Sequence, residues 1–255
     1  MNKLATTVNV LLTMGGLFLS SAVATPILDM PMIHSHNDYK QEIPFWYAYG
    51  SNAKSIEIDL VIENNRLYIS HGDDIIDTKR TIESLYLEPL QNAVNLDIGS
   101  PQNIHFLVDM KSDAQGSIDL LLPILKRYEP TIEKSGVTFV ISGNRTPLES
   151  YVNLPDYIQM DYQSLEPVTD KAAWDKVSMI SLAFKPYSTW NGEGDIPLED
   201  QIKIKEVVET AHAMNKPFRF WGTPDTENAW NQLWELGVDV INTDQPDIVN
   251  RYLSK

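Results

Sequence analysis

Short runs rich in β-branched and aromatic residues, separated by longer amphipathic stretches, recur along the chain and limit what it can fold into. They cover Met32 to His36, Ser55 to Val61, Leu67 to His71, Ile104 to Lys111, Val137 to Ser142, Tyr157 to Met160, Met179 to Ala183, Phe218 to Trp221 and Val238 to Thr243. Helical periodicity falls at Ser117 to Tyr128, Leu198 to Met214 and Asn228 to Leu236, the last followed by Gly237, a residue that closes a helix easily. Strands alternating with helices predict a parallel sheet, because a parallel pair needs a long crossover. Asn64-Asn65 predicts a tight turn that makes the second and third runs a hairpin. Without the hairpin's return strand eight strands remain, as in a (β/α)8 TIM barrel. A doubly wound sheet would call for a Gly-rich phosphate loop after the first strand, and the sequence has none there. The expected class is α/β, one TIM-barrel domain over residues 25–255.

Residues 1–24 are read apart from that domain. Lys3 gives a positive start, Val8 to Leu19 are mostly apolar, and Ala22-Val23-Ala24 has the small-x-small form of a cleavage site. Together they predict a signal peptide removed after Ala24, and a secreted or periplasmic protein with no stable membrane insertion. The apolar run is interrupted by Asn9, Thr13 and two glycines and is short for a bilayer span. With 35 acidic against 20 basic residues the formal charge is -15, which opposes nucleic-acid binding because phosphate contacts depend on Lys and Arg. No cysteine is present, which excludes disulfides, thiolate metal sites and a cysteine nucleophile.

Ionisable pairs spaced by two interrupt the early strands: His34 and His36, Glu57 and Asp59, Asp109 and Lys111. Residues i and i+2 of a strand share a face, so each pair points one way while Ile56, Ile58, Leu60, Phe106, Val108 and Met110 point the other. Taken singly, each pair also fits a structural ion pair or a solvent-facing edge. Three pairs at the ends of early strands, with His71 ending the hairpin, predict instead a shared site at the C-terminal mouth of the barrel. An inward carboxylate there needs a cation or hydrogen bonds to compensate it.

The stretches Ser35-His36-Asn37-Asp38-Tyr39, Glu57-Ile58-Asp59, Tyr68-Ile69-Ser70-His71-Gly72 and Asp109-Met110-Lys111 resemble the signature order of the phospholipase C-like phosphodiesterase superfamily, which includes the glycerophosphodiester phosphodiesterases. His34 to Tyr39 and Ser84 to Leu90 are similar to its branch related to altered inheritance of mitochondria protein 6, and Trp221-Gly222-Thr223 and Thr243 to Pro246 resemble the family's last two strand ends. The resemblance implies a distorted barrel that cleaves a small-molecule or lipid-derived phosphodiester with one divalent cation. Carried over by position, Glu57, Asp59 and Asp109 would hold the cation, with Asn37 a further oxygen ligand or substrate contact. His36 and His71 would be the acid-base pair, with His34 the alternative on the first strand, and Lys111 would face the phosphoryl oxygens. Oxygen ligands suit a hard cation, Mg2+ or Ca2+. Asn37 stands where the glycerophosphodiesterases carry Arg, and Asp109 where they carry Glu.

Two other functions fit parts of the pattern. An amidohydrolase-type metal hydrolase also uses His-x-His on its first strand, but it needs histidines on later strands, and only His105, at the start of its strand, and His212, in a helical stretch, remain. A catalytically silent barrel that only binds would be expected to have lost a key carboxylate or histidine, and all are present. Phe45, Trp46, Tyr47 and Tyr49 read as helix packing, as do Trp230 and Trp234 at helical spacing. Trp221 lies at a strand end, where it serves either the substrate pocket or the core.

Overall fold

A computed structural model describes residues 30–72 and 75–254; the leader expected at 1–24 lies outside them. Nine strands form the sheet: β1 Met32–Ser35, β2 Ser55–Glu63, β3 Arg66–Ile69, β4 His105–Met110, β5 Thr138–Gly143, β6 Ile158–Tyr162, β7 Val177–Ala183, β8 Phe218–Trp221 and β9 Val240–Thr243. The order β1-β9-β8-β7-β6-β5-β4-β2 is parallel throughout, and β1 also pairs with β2, so eight strands close into a barrel. Strand β3 pairs antiparallel with β2 outside that ring, joined to it through Asn64 and Asn65, both at positive φ. This is the expected TIM barrel, and the hairpin is one of its distortions.

Eight α-helices accompany the strands among the described residues: α1 Trp46–Gly50, α2 Glu88–Asn95, α3 Ala114–Arg127, α4 Glu129–Ser135, α5 Lys171–Asp175, α6 Leu198–Ala213, α7 Glu227–Glu235 and α8 Pro246–Leu253. The three helices expected from periodicity are α3, α6 and α7. Asp113 caps α3 by accepting from the Gly116 amide at 2.7 Å, and Thr226 caps α7 by accepting from Ala229. The connection from β5 to β6 has only a 3-10 segment, Leu148–Asn153, a second departure from a regular barrel.

The outward strand faces are the apolar ones. Ile56, Ile58, Leu60, Phe106, Val108 and Met110 are all fully buried under the helices, each contributing on the order of 2 kcal/mol through apolar burial. Phe106 stacks on Phe139 with ring centroids 5.4 Å apart, and Phe45 stacks on Tyr49 at 5.2 Å, so the aromatic cluster after β1 is helix packing, as expected. Leu107 pairs in register with the inward Glu57, and Val140 with Leu107; both are buried, which fills the lower barrel with apolar side chains. The upper barrel is left polar.

Candidate active site

Asp59 and Asp109 stand opposite each other in the β2–β4 register, and Glu57 lies two residues below Asp59 on the same face. Each of the three offers an oxygen within 4.8 Å of the others. Glu57 and Asp59 are buried, and Asp59 Oδ1 has no hydrogen-bond partner among the described residues. A buried carboxylate oxygen without a partner is unfavourable in a folded protein, and an all-oxygen set around it is what a hard divalent cation takes. The residues present fit that ion. The other Asp59 oxygen accepts from Tyr39 Oη at 2.8 Å and lies 3.2 Å from Lys111 Nζ, which also donates to Asp109 at 2.8 Å. Lys111 thus lies against the carboxylates, where burial works against its charge but the two aspartates hold its pKa above the ordinary range. Burial and the neighbouring Glu57 charge push Asp59 up to about 6.

Both histidines of the first-strand pair meet carboxylates, at different depths. His34 is fully buried: its Nε2 donates to Glu57 Oε2 at 2.8 Å and its Nδ1 lies 2.7 Å from Ser55 Oγ. Burial and the Arg219 charge bring its pKa down to about 4, so near neutrality the ring is uncharged. Burial alone would raise Glu57, but the bond from His34 and the positive neighbours outweigh it and hold the carboxyl at about 2. His36 lies one step beyond the end of β1, and its Nδ1 sits 2.7 Å from Asp244 Oδ1. A carboxylate only accepts, so Nδ1 carries the proton and Nε2 accepts from the Asn37 amide at 3.0 Å. Asp244 is itself fixed by its backbone N–H donating to Asp225 Oδ2 and its carbonyl accepting from Gln41.

A cavity of about 500 Å³ opens at the strand C-termini, and His36, Asn37, Glu57, His71, Asp109, Lys111, Trp221 and Asp244 are among its lining residues. The hairpin brings His71 here, because β3 runs back down β2 until the Ser70 amide donates to the Asp59 carbonyl. The structure therefore brings together His36, His71, Lys111, Asn37, Glu57, Asp109 and Trp221 around one opening, with Asp59 behind the carboxylate pair and His34 sealed beneath Glu57. Trp221 is 45% exposed at the rim. His105 sits at the far end of β4 bonded to Thr138, and His212 on α6 bonded to Asp239, so no histidine cluster of the amidohydrolase kind forms among the described residues. Asp244 lies in the stretch Thr243 to Pro246 that resembles the family's last strand end and would also suit the amidohydrolase pattern, but its place beside His36 had no signal in the sequence.

Gly143, at the end of β5, makes room for Asp109. Its φ of +66° is left-handed, and a methyl there would overlap Asp109 Oδ1 and come within 2.7 Å of the Met110 carbonyl oxygen. Gly143→Ala is expected to lower stability by about 1–3 kcal/mol and to weaken cation binding together with it. Thermal unfolding and calorimetric titration check both; an unchanged affinity would show that Asp109 is not held by this contact.

Comparison with known proteins matches residues 23–113 to the AIM6-like phosphodiesterase domain and residues 217–247 to the glycerophosphoryl diester phosphodiesterase family. The altered inheritance of mitochondria protein 6 homolog of Arthroderma benhamiae is 26% identical over 90% of this chain and 86% of its own length. The corresponding protein of Eremothecium gossypii is 27% identical over 91% of this chain and 72% of its own. A glycerophosphodiester phosphodiesterase structure from Parabacteroides distasonis superposes with a TM-score of 0.58 at 16% identity, covering 88% of this chain and 97% of that one. The chain fits the glycerophosphodiester phosphodiesterase superfamily. Within it, the chain falls near the AIM6-like branch, as the stretches His34 to Tyr39 and Ser84 to Leu90 led us to expect.

The relatives also correct one expectation. A secreted or periplasmic location is contradicted by proteins named for the inheritance of mitochondria. The physical reason the reading failed is that a leader with Lys3, several hydroxyl residues and no acid is not specific to export. No helix among the described residues is long and apolar enough to cross a membrane.

Proposed function

We propose that this chain is a metal-dependent phosphoric diester hydrolase acting on a glycerophosphodiester or a related phospholipid-derived diester. The observation that carries the reading is the convergence of Glu57, Asp59 and Asp109 with His36, His71 and Lys111 at one mouth, including a buried Asp59 oxygen that has no partner among the described residues. Glu57, Asp59 and Asp109 would hold one divalent cation, Mg2+ or Ca2+, with Asn37 beside them. When bound, such an ion neutralises charge on the non-bridging phosphoryl oxygens.

The chain's own groups supply the proton transfers. His36 has its Nδ1 proton engaged by Asp244, so Nε2 is left as an acceptor facing Asn37, the arrangement of a general base. His71 on the returning hairpin would protonate the departing oxygen. Lys111, held charged between Asp59 and Asp109, would meet the phosphoryl group. With a substrate that has a hydroxyl next to its ester oxygen, that hydroxyl gives its proton to His36 as its oxygen bonds to phosphorus. The opposite P–O bond then breaks toward His71, leaving a cyclic phosphate. Water would take the same place more slowly. His34 has another part: it orients Glu57 and stays neutral.

The reading predicts how cation binding depends on pH. Without an ion Asp59 keeps its proton up to pH about 6, and a cation needs the carboxylate. Affinity should therefore fall as pH drops below 6, by up to about tenfold per unit, and level off above 7. Binding at pH 5.5 should release protons that binding at pH 7.5 does not. Calorimetric titration in two buffers of different ionisation enthalpy measures this release, and equal proton counts at both pH values would refute the role given to Asp59. The function itself is tested by a phosphodiester screen on purified protein with Mg2+ and Ca2+.

A further inference from the structure

Tyr39 is buried, 3% exposed, and its hydroxyl reaches two parts of the site at once. Oη lies 2.8 Å from Asp59 Oδ2 and 2.8 Å from Asn37 Oδ1. Once Asp59 is ionised both partners only accept, and a phenol has one proton to give. Tyr39 therefore serves the carboxylate or the amide, one at a time.

The choice carries through to His36, because the other end of the Asn37 amide, Nδ2, lies 3.0 Å from His36 Nε2. When Tyr39 donates to Asn37 Oδ1, the amide is pinned with Nδ2 donating to Nε2, and the imidazole is held with that nitrogen as its acceptor. When Tyr39 donates to Asp59 instead, its lone pairs face Asn37 Oδ1, and two oxygens at that distance with no proton between them repel. The amide then turns over, giving Nδ2 to Tyr39 and Oδ1 to His36. Nε2 faces an oxygen and loses its donor.

The surrounding backbone is built so that these side-chain groups can turn without it. Asn37 sits in the left-handed region, φ 47° and ψ 42°, ahead of a 3-10 turn, and its side chain makes no bond to that turn. Asp38 beside it is fully buried and accepts from the Phe45 amide at 2.7 Å and from Tyr86 Oη at 3.0 Å. The Arg80 guanidinium donates to the Tyr39 carbonyl. Asp59 Oδ2 keeps Lys111 at 3.2 Å when the hydroxyl leaves it, so no buried charge is stranded.

An ionised carboxylate is a stronger acceptor than a neutral amide, so in the ion-free chain Tyr39 favours Asp59. A carboxylate that shares its charge with a cation loses that advantage, and Tyr39 turns to Asn37. We infer that Tyr39 is a positioning residue that couples cation occupancy at Asp59 to the hydrogen bond on His36, so that the base is set for proton transfer only when the carboxylates are loaded. The inference rests on the phosphodiesterase reading, from which the cation and the base are taken, and adds a link between them.

A double-mutant cycle on cation affinity tests the link, read by calorimetric titration of the full chain with Mg2+ and with Ca2+ at pH 7.5. Tyr39→Phe removes only the hydroxyl, and Asn37→Gly removes the amide while allowing the left-handed backbone. Tyr39→Phe should bind the cation about threefold more tightly than wild type, because a charge-assisted bond no longer has to be exchanged for a neutral one. Asn37→Gly should weaken binding by about three- to tenfold in the wild-type background and leave it unchanged in the Tyr39→Phe background. With cation saturating, Tyr39→Phe should lower kcat on a glycerophosphodiester by about tenfold with KM unchanged. Unchanged or weaker binding in Tyr39→Phe would make the hydroxyl a prop for Asp59. An unchanged kcat would cut the link to His36, and equal losses from Asn37→Gly in both backgrounds would make Asn37 a direct cation ligand. Each of these overturns the inference and leaves the phosphodiesterase reading intact. A wild-type chain that binds no cation, or binds it and cleaves no diester, would remove that reading and the inference with it. Where Asn37→Gly fails to fold, the sign of the Tyr39→Phe change decides the matter.

Discussion

His36→Ala is expected to lower kcat by about 10²- to 10⁴-fold, the usual contribution of one positioned acid or base, while leaving the fold intact. The imidazole is beyond the end of β1, 36% exposed in its side chain, and its bonds go to Asp244 and Asn37 rather than to the core. His71→Ala should cause a loss of similar size, but one that depends on the leaving group. An alkoxide must be protonated as it departs, whereas 4-nitrophenolate leaves as a stable anion, so the defect should be large with glycerophosphodiesters and small with nitrophenyl esters. His36→Ala should impair both. Equal defects on the two substrate types in both variants would mean that the roles are shared, and the reverse pattern that they are exchanged. His34→Ala makes a useful contrast: it strands the buried Glu57 and should cost about 3 kcal/mol of stability. A His34 variant that folds normally yet loses turnover would move the catalytic role from His36 to His34.

Asp59→Asn should give the second large effect, with opposite signs in the two states of the protein. Asp59 titrates above its ordinary value in the ion-free chain, at about 6, because it is buried beside Glu57. An acid whose folded pKa is raised destabilises the fold once the pH exceeds its unfolded value, so at pH 7.5 the full cost applies. Removing the charge should therefore make the ion-free protein more stable, by about 1–2 kcal/mol after allowing for partial solvation. The same change should abolish the rise in melting temperature that Mg2+ or Ca2+ gives the wild type. Glu57→Gln and Asp109→Asn should also lose cation affinity, by at least the 10- to 100-fold typical of residues behind the ligands. Thermal scans with and without cation measure all three. If Asp59→Asn is destabilised without an ion and still stabilised by one, the carboxylate is structural and the cation site lies elsewhere.

Much of this arrangement was legible in the sequence because strands write their faces in alternate residues. Glu57 and Asp59 against Ile56, Ile58 and Leu60 gave the inward face of β2, and Asp109 gave that of β4. Alternation reports a face but not a depth. His34 and His36 point the same way, and only the register of β1 with Ser55 and Asn242 puts one beneath Glu57 and the other at the rim. Asp244 meets His36 across 208 positions of chain, a contact that exists only because β9 closes on β1. Arg219 stands between Phe218 and Phe220 in a four-residue strand, with no second ionisable residue at i+2 to mark its face. The short helices α4 and α5 were missed for another reason: five to seven residues are too few for a 3.6-residue period to repeat.

The most direct test of the central claim is phosphorus NMR of a glycerophosphodiester incubated with the purified protein, once with Mg2+ or Ca2+ and once with a chelator in excess. Cleavage that requires the cation, stops in Asp59→Asn and passes through a transient cyclic phosphate signal is the predicted result. An unchanged diester signal in the presence of either cation, or equal cleavage in the chelated sample, would contradict a metal-dependent phosphodiesterase.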